Sequence, residues 1–382
     1  MSVLGYSDSD LTARGAGWTA SEITQQPAVL RETFRLVQER AAEFARVIEP
    51  IANDSNARII FTGAGTSSFI GECLAAALAP TTAARIEAIA TTDIVARPRE
   101  HLNADTPVLL VSFGRSGSSP ESVAAVDLAD LHAPQLRHLA ITCNADGELA
   151  QRLLNSPKGD VLVLPEATND RSFAMTSSFT CMLLAGIAIF RGAAHVRADA
   201  IADAVQAVLD RHAHLARTLS SGFDRFVYLG SGPFRGLAQE AALKLLELTD
   251  GACVSMSDTP LGFRHGPKTI LNERTIATVF VSNDPLARRY DLDLLEELQR
   301  DGKAGALMAI SAQPLSANLA SMQFHIPGLE MASEHDLLIP YIIAPQMLAF
   351  FQSLRLGKTP DNPNPAGTVS RVVKGVRIHV AA

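Results

Sequence analysis

The chain has 382 residues, of which 47% are hydrophobic and 19% are charged, and its formal net charge is −7. This composition is typical of a globular protein and excludes an intrinsically disordered chain. The negative balance argues against a general nucleic-acid binder or a protein of anionic membrane surfaces. We therefore expect a globular protein of two domains, with no nucleic-acid partner and no membrane partner.

The chain has four cysteines, Cys73, Cys143, Cys181 and Cys253. They are widely spaced and form no CxxC pair. No histidine lies near them at the spacing of a metal site, so we expect a reducing compartment and no bound metal. The first residues lack the basic segment and apolar run of a secretory signal. These features predict a cytoplasmic protein.

Residues 1–50 are predicted to form a helical N-terminal segment. The stretch VLRETFRLVQERAAEFARVI, which begins at Val29, has apolar residues at helical spacing and predicts one amphipathic helix. A second apolar stretch, from Phe179 to Phe190, is shorter than the roughly 18 residues that a membrane-spanning helix needs. We expect this second stretch to be a buried helix.

The chain contains an internal repeat. The segments RIIFTGAGTSSFIGECLAAAL and RFVYLGSGPFRGLAQEAALKL align so that Gly63 and Gly65 match Gly230 and Gly232. A further apolar run follows in each copy, TPVLLVSF in the first and TIATVFVSN in the second. Short buried strands that alternate with amphipathic helices indicate parallel sheets. The predicted fold is α/β, with two tandem doubly wound, flavodoxin-like domains.

The domain organisation is predicted from this repeat and from the segments around it. The residues between the two copies have helical spacing, and the last residues are rich in proline, asparagine and glycine. The predicted segments are a helical N-terminal segment over 1–50, a first α/β domain over 51–195, a connecting helix over 196–219, a second α/β domain over 220–358 and an irregular C-terminal tail over 359–382.

Two loops rich in glycine and serine lie at strand-to-helix junctions of the first half, TGAGTSS and FGRSGSSP. Backbone N–H groups and the positive ends of helices meet at such junctions and favour an anion. Glycines let the backbone approach a ligand, and hydroxyl groups add donors. We expect a phosphate monoester to bind here, with candidate ligands Gly65, Thr66, Ser67, Arg115, Ser116, Ser118 and Ser119. The alternative is that these serines only cap helices, since Ser118 and Glu121 have capping-box spacing.

A dinucleotide is a competing ligand, because GAGTSS resembles the start of a GxGxxG motif. Ser68 stands where the third glycine would be, and a lone Gly-x-Gly is a weak indication. The chain also lacks the GKS or GKT of a Walker loop. We therefore expect a small phosphorylated ligand and no cofactor.

The second copy differs in its chemistry. Its loop VSNDPLARRYD has lost the glycine and serine cluster, so a second phosphate site is not expected there. Its first helix carries Glu240, Lys244 and Glu247, which their spacing places on one face. The alternative is that this face is the solvated stripe of an amphipathic helix. Downstream, His265 precedes a Gly-Pro turn and is either a proton carrier or an ordinary turn residue.

Together these motifs resemble the SIS (sugar isomerase) domain family, whose tandem halves bind and isomerise phosphosugars. Gly65-Thr66-Ser67 matches the family's GTS loop, and residues 114–119 match its serine-rich SQSGxT loop. Residues 240–247 match the ExALKxxE helix, and His265-Gly266-Pro267 matches the HGP motif. The stretches ITCNADG, FAMTSSFT and GTVSRVVKGV are similar to the AgaS type, which is associated with tagatose-6-phosphate ketose/aldose isomerase and galactosamine-6-phosphate deaminase activity. The resemblance covers nearly the whole chain.

The resemblance implies a phosphate site in the first half. Ser67, Ser116 and Ser119 would hold the sugar phosphate, with Arg115 where relatives often have glutamine. Gly114 departs from the family, because it replaces a phosphate-binding serine. The tail also lacks the lysine that glucosamine-phosphate synthase has near its C-terminus and has PAGTVSRVV instead.

The resemblance also implies the catalytic groups. Glu247 falls on the base that moves the proton between C1 and C2, and His265 falls on the histidine associated with ring opening. Glu240 and Lys244 fall on positions that line the same pocket. In the amidotransferase relative this histidine comes from the neighbouring subunit, which implies a homodimer or a higher homo-oligomer.

The implied reaction converts galactosamine 6-phosphate into tagatose 6-phosphate and ammonia, without a cofactor. Three alternatives stay open, namely an aldose/ketose 6-phosphate isomerase, a glucosamine-6-phosphate deaminase and a sugar-phosphate sensor without turnover. Glucosamine-phosphate synthesis is not expected, because the amidotransferase domain of that enzyme begins with a cysteine after the initiator methionine, whereas Ser2 stands here.

Overall fold

The computed structural model describes residues 2–103, 105–219, 222–373 and 375–379, and contacts divide the chain into two compact units. The first-sheet unit consists of Val29–Asp170, Ser177–Val196 and the described part of Ala366–Ala382. The second-sheet unit consists of Arg171–Thr176, Arg197–Pro365 and the described part of Met1–Ala28. The second-sheet unit therefore includes the N-terminal segment of the chain, and the first-sheet unit includes the C-terminal segment.

The N-terminal segment is mainly helical. Its elements are β1 Ser2–Val3, β2 Tyr6–Ser7, α1 Asp8–Ala13, α2 Gly17–Thr24, α3 Gln26–Glu39 and α4 Ala41–Ala52. The prediction of a single amphipathic helix from Val29 is wrong. The helix is interrupted at Arg40, which has φ −104° and ψ 10°. The Arg40 guanidinium donates to the carbonyl of Val161 at 2.8 Å and pairs with Glu43, which holds the break in place.

In the first-sheet unit, strands and helices alternate along the chain. Its elements are β3 Arg58–Thr62, α5 Thr66–Leu78, β4 Arg85–Ala88, α6 Thr91–Ala96, α7 Pro98–His101, β5 Val108–Gly114, α8 Pro120–His132, β6 Leu136–Thr142, α9 Glu148–Leu154, β7 Gly159–Val163 and α10 Ser177–Arg191. The five strands are parallel in the order β4-β3-β5-β6-β7. All seven residues of β5 are buried, as expected for a central strand covered on both faces.

The second sheet repeats this pattern. Its unit contains α11 Ala198–Leu209, α12 His212–Thr218, β8 Arg225–Leu229, α13 Pro233–Leu248, β9 Val254–Asp258, α14 Pro260–Phe263, β10 Thr275–Val281, α15 Pro285–Asp301, β11 Ala306–Ser311, β12 Met322–His325 and α16 Glu334–Arg355. The five parallel strands have the order β12-β11-β10-β8-β9. The segment 196–219, predicted as one connecting helix, contains the two helices α11 and α12.

Numbered within each half, the strand order is 2-1-3-4-5 in both sheets, which is the flavodoxin-like arrangement. The predicted fold class is confirmed. The duplication extends to the backbone of the first turn, where Gly65 has φ 55° and ψ −128° and Gly232 has φ 54° and ψ −126°. A positive φ of this kind favours glycine, because a side chain would meet the backbone.

Two apolar helices are buried in their units. The predicted buried helix over Phe179–Phe190 lies within α10, whose residues 177–189 are all buried. Among the described residues, α16 is long and apolar enough to cross a membrane by length and composition, but the whole of its apolar window is buried inside the protein. A core helix satisfies the same test, so we assign α16 to the core of the second-sheet unit.

Tyr341 of α16 provides a test of this core. Its buried hydroxyl donates to the carbonyl of Val281 at 2.9 Å and accepts the N–H of Ala312 at 2.8 Å. We expect Tyr341→Phe to lower the free energy of unfolding by about 1–3 kcal/mol, because two buried backbone groups lose their partner. Urea denaturation measures this loss. The matched control Tyr290→Phe, at a residue 41% exposed, should be neutral, and equal stability of the two variants would contradict the assignment.

Candidate active site

The first candidate loop follows β3 in the first-sheet unit. Gly65 is the N-cap of α5, so the cap has no side chain to bind the first N–H groups of the helix. Thr66 and Ser67 begin the helix and are each 5% exposed. The loop lies where the strand order reverses between β3 and its neighbours, which is where open α/β sheets bind ligands. The three predicted residues therefore form one turn at a helix N-terminus, a favourable place for an anion.

The second candidate loop follows β5, which pairs directly with β3. Ser116 is half-buried, and its hydroxyl accepts the N–H of Ser118 at 3.3 Å. Arg115 is only 6% exposed and donates to the carbonyl of Arg371 in the tail at 2.8 Å. The structure thus brings this loop and the first loop to the same edge of one sheet, because their strands are parallel neighbours.

The helix cap of this loop differs from the predicted one. The N-cap of α8 is Ser119, not Ser118, and its hydroxyl accepts the N–H of Ser122 at 3.3 Å. Ser118 instead accepts the N–H of Glu148 at 3.2 Å, at the start of α9. The capping box expected from the spacing of Ser118 and Glu121 is therefore wrong, because the helix begins one residue later. Ser119 has a capping role besides any contact with a ligand.

A third loop, after β6, supports the second one and was not predicted. Asn144 donates to the carbonyl of Ser116 at 3.1 Å, and Thr142 donates to the carbonyl of Gly114 at 2.6 Å. A Cβ on Gly147 would lie 2.3 Å from the carbonyl oxygen of Ser116, so only glycine fits there. The sequence signal was the Asn-Ala-Asp-Gly turn directly after an apolar strand.

The three charged residues of α13 lie together in the second-sheet unit. The Lys244 ammonium is 3.5 Å from the Glu240 carboxylate and pairs closely with Glu247. The side chains of Glu240 and Lys244 are fully buried, whereas that of Glu247 is 23% exposed. The alternative of a solvated stripe is therefore wrong for Glu240 and Lys244. A buried ammonium needs anionic partners, and these two carboxylates provide them.

Exposure separates the roles that these three residues can have. Glu247 alone among them has exposed side-chain surface, so it can reach a ligand. Glu240 and Lys244, predicted to line the pocket, have no exposed side-chain surface in this structure. Lys244 contacts Glu247 directly, and Glu240 contacts Lys244.

His265 lies on an exposed turn between α14 and the short helix that begins at Pro267. Gly266 has φ 122°, a conformation that favours glycine. The Glu297 carboxylate of α15 holds the chain on both sides of the histidine. It accepts a hydrogen bond from Arg264 Nε at 2.8 Å and also pairs with Lys268. The turn is thus fixed at its base while His265 projects from the surface.

The crevice of the second sheet contains a carboxylate of the chain itself. Ser282, which follows β10, donates its hydroxyl to Glu334 at the start of α16. The Oε2 atom of Glu334 lies 3.8 Å from the place where Gly232 would carry a Cβ. Because β8 and β10 are parallel neighbours, this crevice is the counterpart of the one beside Gly65. An internal anion therefore lies where the first half is expected to receive phosphate.

Asp291 of α15 lies beside this carboxylate. It is fully buried and accepts the N–H of Ser282 at 2.8 Å. Burial, with a smaller contribution from Glu334, raises the pKa of Asp291 to about 7, and burial also raises the pKa of Glu334. Within the described ranges, no group of three or more His, Cys, Asp and Glu side chains is placed to hold a metal ion.

Comparison with known proteins identifies the family of this chain. Residues 53–191 match the SIS domain family. The chain is 42% identical over 376 residues to D-galactosamine-6-phosphate deaminase AgaS of Shewanella sp. (strain ANA-3), covering 98% of this chain and 94% of the relative. It is 42% identical over 367 residues to D-galactosamine-6-phosphate deaminase AgaS of Escherichia coli, covering 95% of each. The structure of tagatose-6-phosphate ketose/aldose isomerase from Escherichia coli superposes with a TM-score of 0.87 at 40% identity, covering 95% of this chain and 96% of that one.

Two flavodoxin-like parallel-sheet domains, the first of which matches the SIS domain family, identify a protein of the SIS class. The near full-length identity is more specific. The chain belongs to the AgaS type of the SIS domain family, which confirms the resemblance inferred from its motifs.

Asp291 is expected to make the free energy of unfolding depend on pH. Its pKa of about 7 lies above the ordinary value of 3.8, so between these values the native state binds more protons than the unfolded state, and stability falls as pH rises. We expect Asp291→Asn, which keeps an oxygen for the Ser282 N–H, to remove this loss, amounting to about 2–3 kcal/mol between pH 5 and pH 8. Urea denaturation at both pH values measures it. The exposed Asp293→Asn is the control, and a pH-independent difference between wild type and Asp291→Asn would contradict the assignment.

Proposed function

We propose that this chain is a galactosamine-6-phosphate deaminase that produces tagatose 6-phosphate and ammonia. The observation that carries the proposal is the Glu247 carboxylate, which is accessible to solvent and backed by the buried Lys244. The AgaS relatives that match along nearly the whole chain are named as deaminases of this aminosugar phosphate. We propose that the protein acts in the cytoplasm.

The chemistry needs one proton carrier beside the sugar carbons. Opening of the aminosugar ring exposes an aldehyde at C1, which makes the C2 proton acidic. Glu247 removes this proton and returns it to C1, while one proton leaves the amine nitrogen and one is added to the C1 oxygen, so that C1 becomes an alcohol and the C2–N bond becomes an imine. Water then adds to the imine carbon, and the C–N bond breaks to release ammonia and the ketose phosphate. Atoms balance with one water consumed for each ammonia released.

Ring opening requires a proton donor at the ring oxygen and a base at the C1 hydroxyl. We assign this step to His265, because imidazole can both give and accept a proton near neutral pH. The Glu297 contacts to Arg264 and Lys268 hold the turn that presents this side chain. His265 is exposed within its own unit, which suits a residue that acts on a neighbouring subunit.

The phosphate is assigned to the two loops of the first-sheet unit. Ser67 and Ser116 supply hydroxyl donors, Ser119 does so at the start of α8, and the turn at Gly65 and Thr66 adds the N-terminal backbone of α5. The phosphate takes no part in bond changes. Its binding energy can therefore hold the reacting carbons in position.

A simple ketose/aldose isomerase is the second candidate, because a close structural relative has that name. The same C1–C2 proton transfer on an aldose phosphate gives a ketose without ammonia. Incubating the protein with galactosamine, glucosamine and galactose 6-phosphates, and assaying ammonia and ketose separately, distinguishes these reactions. Ammonia and tagatose 6-phosphate in equal amounts from galactosamine 6-phosphate support the proposal. Ketose from galactose 6-phosphate alone would favour the isomerase.

Glu247→Gln tests the assigned base. The amide preserves shape and still accepts a hydrogen bond from Lys244, but it cannot take the C2 proton. We expect kcat to fall by about 10²–10⁴-fold, the usual effect of losing a general base, with KM nearly unchanged. Steady-state kinetics and a thermal unfolding scan provide the measurement. The exposed Glu296→Gln is the matched control, and near-normal kcat in a folded Glu247→Gln protein would remove Glu247 from the mechanism.

The proposed active unit is a homodimer in which His265 acts across the interface. Glu247→Gln and His265→Ala proteins should each be inactive alone. Mixed under conditions that exchange subunits, they should regain activity, because some mixed dimers have one site with both groups intact. Exchange is verified by mass spectrometry of differently tagged subunits. Complete exchange without recovered activity would show that His265 does not act in trans.

A further inference from the structure

Arg371 connects the C-terminal tail to a rigid part of the first-sheet unit. Its Nε atom donates to the carbonyl of Asp170 at 2.9 Å, and its Nη2 atom donates to the side-chain oxygen of Asn169 at 3.0 Å. Two directions of a planar guanidinium are thereby fixed. Such paired contacts hold a side chain in one orientation far better than a single contact does.

The anchor itself is rigid. Asp170 is 1% exposed, and its carboxylate accepts the N–H and hydroxyl of Ser178 at 2.9 and 2.6 Å and also the hydroxyl of Ser177. These contacts fix Asp170 to the first turn of α10, a helix of 15 residues that is almost wholly buried. Arg371 is therefore attached to the core rather than to a surface loop.

The same tail residue also contacts the phosphate loop. Arg115 comes directly after β5, and its Nη2 atom donates to the backbone carbonyl of Arg371 at 2.8 Å. Arg115 is only 6% exposed, so its charge depends on buried partners to offset the loss of solvation. A continuous set of contacts thus runs from α10 through Asp170 and Arg371 to Arg115.

We propose that Arg371 is a positioning residue that fixes the Arg115 guanidinium at the phosphate loop. The tail carbonyl can hold Arg115 only while the Arg371 side chain keeps that segment on Asn169 and Asp170. The inference rests on the proposed function, in which this loop binds the substrate phosphate. Its consequence is that the C-terminal tail contributes to phosphate affinity without touching the reacting carbons.

The kinetic test uses Arg371→Ala, which keeps the backbone carbonyl but loses its anchor. We expect KM for galactosamine 6-phosphate to rise about tenfold, with kcat within about twofold of wild type. Arg371→Lys keeps the charge but not the planar fork and should recover only part of the affinity. Arg377→Ala, at an exposed arginine of the same tail, is the matched control and should behave as wild type.

A double-mutant comparison tests whether Arg371 acts through Arg115. In the Arg115→Ala background, the further change Arg371→Ala should raise KM by less than about twofold, because the group it positions is already absent. If the double variant instead raises KM by the product of the two single-variant increases, the two residues act independently and the proposal is overturned. An unchanged KM in Arg371→Ala would overturn it as well.

Hydrogen exchange separates a failure of this inference from a failure of the proposed function, because it needs no turnover. In Arg371→Ala, amide deuterium uptake over residues 113–119 should increase, and in Arg377→Ala it should not. Uptake over 113–119 that is unchanged in Arg371→Ala overturns the positioning role, whatever the enzyme acts on. If uptake increases and wild type turns over no aminosugar phosphate, the positioning of the loop stands and only the assigned substrate is wrong.

Discussion

The tight turn after the first strand of each half is the constraint on which the rest of the structure depends. Gly65 and Gly232 have nearly the same positive φ and the same ψ, so each first helix leaves its sheet in the same direction. Parallel pairing then places the next loop beside this turn, at the point where ligands bind in open α/β sheets. Both halves therefore have the same crevice, and side chains alone decide what occupies it.

The two crevices have diverged in charge. In the first-sheet unit, the loops after the neighbouring strands β3 and β5 carry the hydroxyl groups of Thr66, Ser67 and Ser116, and Arg115 adds a cation. In the second-sheet unit, helix α13 begins with Pro233 and Phe234, which lack hydroxyl donors, and the Glu334 carboxylate lies beside the turn. A carboxylate there repels a phosphate and accepts a hydrogen bond from the Ser282 hydroxyl. The same backbone arrangement thus gives one crevice that we propose to bind phosphate and one that contains a carboxylate of the chain.

Buried charge organises the polar residues of helix α13. Lys244 has no exposed side-chain surface, so its ammonium must keep both Glu240 and Glu247 close. Glu247 is the member with exposed side-chain surface, and its ion pair with Lys244 limits the positions its carboxylate can take. The turn that carries His265 is also held by ion pairs, but at the surface, since Glu297 pairs with the cationic side chains on both sides of it. In both places, ion pairs constrain a residue that we propose to be catalytic or its immediate neighbours.

The sequence by itself determined the fold class, the duplication and the candidate residues, because strand and helix periods, Gly-x-Gly turns and Ser-rich loops are local patterns. Tertiary structure decided the rest. Whether the charged face of α13 is solvated or buried depends on the elements packed against it, and the split of α3 from α4 depends on a bond from Arg40 to a distant strand. The Arg115–Arg371 contact joins residues 256 positions apart, and Glu334 reaches Gly232 from a later helix. No local pattern encodes such contacts, because they exist only once the chain has folded.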